Sequence, residues 1–259
     1  MGVIVIIDAH LHLPCDDSLI TLEDKKVRLL DDLFKESVNG AIVIADSELQ
    51  SPIGTTGECV ELFLNSKNIF VIGGISPLIE FNSGLLQLKE FLKQKLIVGC
   101  KLYPGHEAFF MNDDRLTEIF KLCIEYNVPL LVHTGWDNAQ YNHPKYFTEI
   151  AKVYPALRLV ICHLYWPNID LCYSLTSKYQ NIYYDISSLA YETSCLEKTR
   201  MSLNSIAQND VNRIIFGTDY GMCSIKAHID LIISLDIDDK KKKSILYNNA
   251  IDLYKIKLS

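Results

Sequence analysis

Eight short apolar runs rich in Val, Ile and Leu punctuate the 259-residue chain, and their spacing restricts its fold more than any other feature. They occupy residues 3–7, 40–45, 68–75, 96–103, 128–133, 157–163, 181–186 and 213–219. Most are unbroken apolar stretches rather than strict alternations, the pattern of parallel strands covered on both faces. Between them lie segments with helical spacing. Leu29, Leu30, Leu33 and Phe34 form one apolar stripe, and Leu116, Ile119, Phe120 and Cys123 another, with Asp113 or Asp114 placed to cap it. Pro144 opens a third, ahead of Tyr146, Phe147 and Ile150. Strand–helix units of about 30 residues, repeated eight times, predict a (β/α)8 TIM barrel. An open doubly wound sheet would call for a glycine-rich phosphate turn after its first strand, and Asp8-Ala9-His10-Leu11-His12 stands there instead. Residues 236–254 read as one or two helices that close the barrel, with Lys240 to Lys243 on a solvated face. No linker or low-complexity tract interrupts the pattern, so residues 1–259 are expected to form a single domain.

Charge and cysteine usage narrow the class of function. A net charge of −7 argues against a phosphate-rich partner, because nucleic-acid affinity comes mostly from Lys and Arg. The eight cysteines include no Cys-x-x-Cys pair, and several lie inside apolar runs, such as Cys100 and Cys162, where a thiol behaves as a small hydrophobe. The apolar run Val3 to Ile7 is too short for a signal peptide, and no stretch approaches the roughly 20 apolar residues of a membrane span. These features predict a cytoplasmic, soluble protein with no nucleic-acid or membrane partner; a small-molecule substrate and a homodimer are separate expectations.

In a parallel barrel the chemistry collects at the C-terminal ends of the strands. Reading the last residues of each run gives His10 and His12, Lys101 and Tyr103, His133, His163, Asp185 and Asp219, so four of only seven histidines fall in this set. His10 and His12 are two apart on an extended segment and project from one face, where two imidazoles can chelate one divalent ion. His133 and His163 are one β/α unit apart, which predicts similar heights on neighbouring strands. Asp219 ends the last run, beside the first once the barrel closes, and a buried carboxylate there calls for a cation or a histidine partner.

The run of motifs "IDAHLH", "GCKLYP", "VPLLVHTG", "YPALRLVICHLYW", "NIYYDISS", "RIIFGTDY" and "NNAIDLYKI" resembles the amidohydrolase superfamily. The branch it is most similar to is the amidohydrolase-related one, which includes aminocarboxymuconate-semialdehyde decarboxylase-like proteins. The resemblance spans nearly the whole chain and is specific in its order and spacing. It implies one catalytic divalent metal, most often zinc, held by His10, His12, His133 and Asp219, with His163 as the adjacent acid/base residue and Asp219 managing a proton. It leaves Lys101 either as a free ammonium, near a substrate carboxylate or in a structural ion pair, or as a carbamylated bridge between two metals, and the free ammonium is favoured. Two departures from the family pattern lie where substrate would bind. Strand 6 ends His163-Leu164-Tyr165-Trp166 rather than His-x-Gly, and the last motif reads "GTDYGMCS" rather than Gly-Thr-Asp-Tyr-Pro.

Trp136, Tyr165, Trp166 and Tyr220 follow strands and are candidates to line the pocket, Trp136 with Lys101, Tyr103 and Asp185 as substrate-binding residues. Cys15 and Cys223 also follow strands, with no paired thiolate to give them a role. The expected chemistry is hydrolysis of an amide, lactone or related bond by metal-activated water. Non-oxidative decarboxylation of an unsaturated or aromatic acid is the alternative on the same site. A catalytically silent barrel that serves as a binding protein is the alternative of a different class, and the intact polar set argues against it.

Overall fold

A computed structural model describes residues 5–48, 50–136 and 138–259; positions 3 and 4 of the first apolar run lie outside them. Eight strands, β1 (Ile7–Leu11), β2 (Gly40–Ile44), β3 (Ile69–Gly74), β4 (Cys100–Leu102), β5 (Leu130–Val132), β6 (Leu159–Ile161), β7 (Ile182–Asp185) and β8 (Ile214–Ile215), pair in sequence order and all in parallel. The ring closes where β8 and the turn after it meet β1. Ala9 N–H donates to Phe216 O at 2.9 Å, and His12 N–H donates to Tyr220 O at 2.8 Å. Gly217 makes this approach possible, since a Cβ there would lie 2.6 Å from the Cβ of His10.

Eight helices follow the eight strands: α1 (Leu22–Lys35), α2 (Thr56–Phe63), α3 (Phe81–Lys93), α4 (Thr117–Glu125), α5 (Pro144–Val153), α6 (Ile169–Thr176), α7 (Leu196–Asp210) and α8 (Ile225–Ile233). Their starts are written locally. Thr21 and Thr55 each close a capping box, with Asp24 and Glu58, and Pro144 is the first residue of α5. Asp113 caps a short turn, Asp114–Leu116, that leads into α4. The α1 stripe is narrower than its sequence suggests: Leu29 and Leu33 are buried, whereas Phe34 is 83% exposed.

The strands bury both faces, as their unbroken apolar runs require. Alternate residues point out to the helices, such as Val43, Leu102, Val132 and Ile161. The others fill the barrel: Ile42, Ile44, Ile72, Leu131, Val160, Cys162 and Ile215. The tail forms α9 (Asp239–Lys243), a π-turn over Ser244–Asn248, and α10 (Asn249–Tyr254). Ala250, Leu253 and Tyr254 of that tail pack onto the interior set. One end of the barrel is therefore filled with apolar side chains, and the polar residues collect at the other, where β1 to β8 end.

Candidate active site

Alternation along each strand decides which side chains reach the mouth. Leu131 faces inward, so His133, two residues on, faces inward too. Lys101 and Tyr103 do the same on β4. The expected match in height between His133 and His163 is offset by one residue. Val132 pairs with Ile161, which sets His133 level with Cys162, and His163 comes one position later. His163, Leu164 and Tyr165 all adopt left-handed backbone conformations (φ 59°, 49° and 57°), a tight turn that swings the His163 ring back over the barrel. Trp136, Ser188 and Asp219 are also left-handed (φ 51°, 61° and 62°). These six residues all stand in the turns that follow β5, β6, β7 and β8.

These side chains surround a cavity of about 420 Å³ at the mouth. His10, His12, Lys101, Tyr103, His133, Trp136, His163 and Asp219 all line it. The nitrogens of His10 and His163 and a carboxylate oxygen of Asp219 lie within 4.8 Å of one another. The Nε2 atoms of His10 and His12 are each 3.4 Å from Asp219 Oδ1. His133 stands beside this group, its ring centroid 5.0 Å from that of His163 and 6.1 Å from that of Trp136. Among the described residues no hydrogen bond holds the His133 imidazole.

The orientation of the other three rings is fixed from behind. His10 Nδ1 donates to Asp185, His12 Nδ1 donates to Ile44 O at 2.9 Å, and His163 Nδ1 donates to Ser187 O at 3.2 Å. An acceptor on Nδ1 fixes the tautomer and leaves the Nε2 lone pair facing the centre, the arrangement of metal-binding histidines. Burial pushes the imidazoles of His10 and His163 below their ordinary range, His163 to about 3, so both are neutral near pH 7. Burial works the other way on Asp219, but His12, His163 and His10 together hold its carboxyl well below the usual carboxylate range. Burial likewise opposes ionisation of Asp185, and contact with His10 outweighs it, drawing it to about 2.

Imidazole nitrogens beside an ionised carboxylate form a donor set suited to a divalent cation. The fit is sharpest at His10. Its Nε2 is buried without a hydrogen-bond partner, a costly state that a bound cation relieves.

Asp185, expected to face substrate, lies under His10 with 1% exposure and is absent from the cavity wall. Its inward direction from β7 brings it to Nδ1 of His10, so it steers a ring instead of touching a ligand. Tyr103 offers the cavity a ring face, because its hydroxyl donates to Ala45 O at 2.8 Å. Lys101 is 1% exposed; its ammonium donates to Cys162 Sγ at 3.0 Å and lies 5.2 Å from the centre of the Tyr103 ring. Of the other aromatic candidates, Trp166 packs behind Trp136, Tyr165 donates to Ala139 O, and Tyr220 donates to Asp32, so none of the three lines the cavity. Cys223 does line it, with a thiol that burial pushes up to about 11, and Cys15 lies in a neighbouring groove.

Several cavity residues escaped the sequence reading. Asp46, Ser47 and Glu48 follow β2, His106 and Glu107 follow β4, and Ser188 follows β7. Each sits just past a strand, so the rule that picked out His133 and His163 applied to them too. The β7 turn supports the whole cluster: Ser187 Oγ is 3.1 Å from His10 Nδ1 and 2.9 Å from His163 Nδ1, and Ser188 donates to Asp219. Asp8 ties β1 to the β8 turn, accepting from Thr218 N–H at 3.0 Å and Thr218 Oγ1 at 2.5 Å.

Comparison with known families decides the lineage: residues 7–256 match the model of the family described as Amidohydrolase. The chain belongs to the amidohydrolase family. No curated protein matches it significantly. Among solved structures it is similar to an uncharacterized TIM-barrel protein from Bordetella bronchiseptica, with TM-score 0.78 and 20% identity over 96% of this chain and 97% of that one. It is also similar to a probable 2-pyrone-4,6-dicarboxylic acid hydrolase from Acinetobacter baumannii (TM-score 0.68, 16% identity, 97% and 99% covered). A third is a dihydroxybenzoic acid decarboxylase from Polaromonas sp. JS666 with bound manganese and the inhibitor 2-nitroresorcinol (TM-score 0.70, 16% identity, 97% of each chain). At these identities the likeness establishes a shared barrel, and the neighbours include a probable hydrolase and a decarboxylase with bound manganese. No helix among the described residues is long and apolar enough to cross a membrane.

Proposed function

We propose that this chain is a metal-dependent hydrolase that cleaves an amide, lactone or related bond in a small carboxylated molecule. The observation that carries the reading is the buried, unpartnered Nε2 of His10 beside the ionised Asp219, in a cavity that Lys101 also lines. His10, His12, His133 and Asp219 would hold one divalent ion, zinc being the first expectation. Such an ion supplies Lewis acidity, which polarises a carbonyl and makes water more acidic. Lys101 lies against a thiol and over the Tyr103 ring, and a substrate carboxylate would give its charge an anionic partner. Asp219 accepts the proton of the attacking water and returns it to the leaving group. His163 presents a neutral nitrogen lone pair on the substrate side, where it accepts a hydrogen bond from the reacting groups and so positions them. Trp136 and Tyr103 form flat walls that exclude bulk water.

Those flat walls also support a second reading, non-oxidative decarboxylation of an aromatic or unsaturated acid, as does the likeness to the Polaromonas decarboxylase. Metal-loaded protein offered carboxylated lactones, amides and aromatic acids in heavy-oxygen water separates the two. Hydrolysis puts the heavy oxygen into the product and releases no carbon dioxide. Carbon dioxide without label in the product overturns hydrolysis in favour of decarboxylation, and failure to turn over any compound that binds would favour a binding protein.

A further inference from the structure

The charges around the cavity are sorted by side. On the floor, Lys101 is buried, its ammonium donating to the Cys162 thiol. On the wall formed after β2 and β4, three carboxylates face the same space: Asp46, Glu48 and Glu107. Glu107 is held by hydroxyl donors, Ser47 Oγ at 2.5 Å and Ser76 Oγ. Asp46 accepts from Ser51 Oγ at 2.6 Å and from Ser47 N–H at 2.7 Å. Every one of these donors is neutral. Among the described residues, no Lys or Arg forms an ion pair with any of the three carboxylates. Burial, followed by repulsion from Asp46 and Glu48, pushes the Glu107 carboxyl up. Like charges crowded on a half-buried wall destabilise it, and a cation entering the cavity relieves that cost. The hydroxyls fix Glu107 before any ligand arrives, so little ordering remains to be done on binding. Independently of the wall, the unpartnered His10 Nε2 marks this cavity as one built to receive a ligand.

We propose that the substrate is bipolar, with its anionic group against Lys101 and an organic cation, a protonated amine or guanidinium, against the wall of Asp46, Glu48 and Glu107. This deepens the functional reading above and rests on its assignment of the cavity as the substrate site. The cavity volume of about 420 Å³ restricts such a molecule to metabolite size.

Paired probes test the proposal by calorimetry on the metal-loaded full chain: γ-aminobutyrate against butyrate, and ε-aminocaproate against caproate. At low salt at least one amino acid should bind about tenfold tighter than its deaminated partner. Glu107→Gln and the exposed Glu48→Gln should each cut that preference to about threefold or less, a loss of roughly 0.7 kcal/mol. Lys101→Met should weaken both members of a pair alike. Equal binding within every pair, or a preference that survives both wall variants, overturns the bipolar assignment. If Lys101→Met leaves both members unaffected, the floor assignment of the functional reading fails, and the wall is still judged by its own two variants.

Discussion

His133 and His163 carry different work in this account, and the distinction rests on what holds each ring. His163 is pinned through Nδ1 by Ser187, and its ring is aimed at the space beside Asp219 and His10. His133 has no such tether among the described residues, which leaves its ring nitrogens free for an ion. Zinc sites that catalyse reactions keep one position open, so a fifth protein ligand would close the site to substrate. His163→Asn is therefore expected to retain about one metal per chain and lose roughly 10²–10⁴-fold in kcat, the range for removing a general acid or base. His133→Asn is expected to lose the metal. Metal analysis of the two variants side by side checks the division, and the opposite result would exchange their roles. The proximity of the His163 nitrogen to His10 and Asp219 makes this the assignment most worth testing.

The element that organises the cluster is the turn after β7. Asp185, Ser187 and Ser188 reach His10, His163 and Asp219 in turn, so three residues of one segment orient side chains from β1, β6 and β8. The far end of this turn is held by α8. His228 is fully buried; its Nδ1 donates to Ser224 O at 2.8 Å and its Nε2 accepts from Ala190 N–H at 3.2 Å. Burial lowers its pKa below the ordinary value, despite the nearby charges of Asp219 and Asp185. Because the folded state disfavours the proton, the stability this histidine contributes is fully present above its unfolded pKa of about 6.5, and it is lost as pH falls toward the folded value. His228→Phe leaves Ala190 N–H unpaired and should lower Tm by roughly 2–8 °C at pH 8. The gap from wild type should narrow at acid pH, because wild type then loses a contribution that the variant already lacks. Thermal unfolding at both pH values checks this, and a gap that widens on acidification would contradict it.

Across the whole molecule, the barrel was legible because its constraint is repeated eight times. Both-face burial forces unbroken apolar runs, and the ends of those runs mark the mouth whatever the exact boundaries. The polar lining of the mouth was legible for the same reason: His10, His12, His133, His163 and Asp219 all follow strand ends and all line one cavity. What escaped depended on direction and loop path. Asp185 lies at a strand end like the others, and only the packing under His10 turns it from a ligand contact into a support. The left-handed turn at His163 to Tyr165 contains no glycine to announce it, so the one-residue offset from His133 could not be read. Trp166 follows the same turn and ends behind Trp136 instead of in the cavity. Asp46, Glu48 and Glu107 come from loops whose course depends on serine hydroxyls contributed by separate segments.

The central claim is that one divalent ion, held at the barrel mouth by His10, His12, His133 and Asp219, makes this chain an enzyme. Elemental analysis tests it most directly, on wild type and His12→Ala purified in parallel without chelator or added metal, with circular dichroism to confirm that both are folded. The account predicts about one equivalent of a divalent metal, zinc first, in wild type and close to none in the folded variant. Metal-free wild type that turns over substrate at full rate, or a variant that retains the full equivalent, would contradict it.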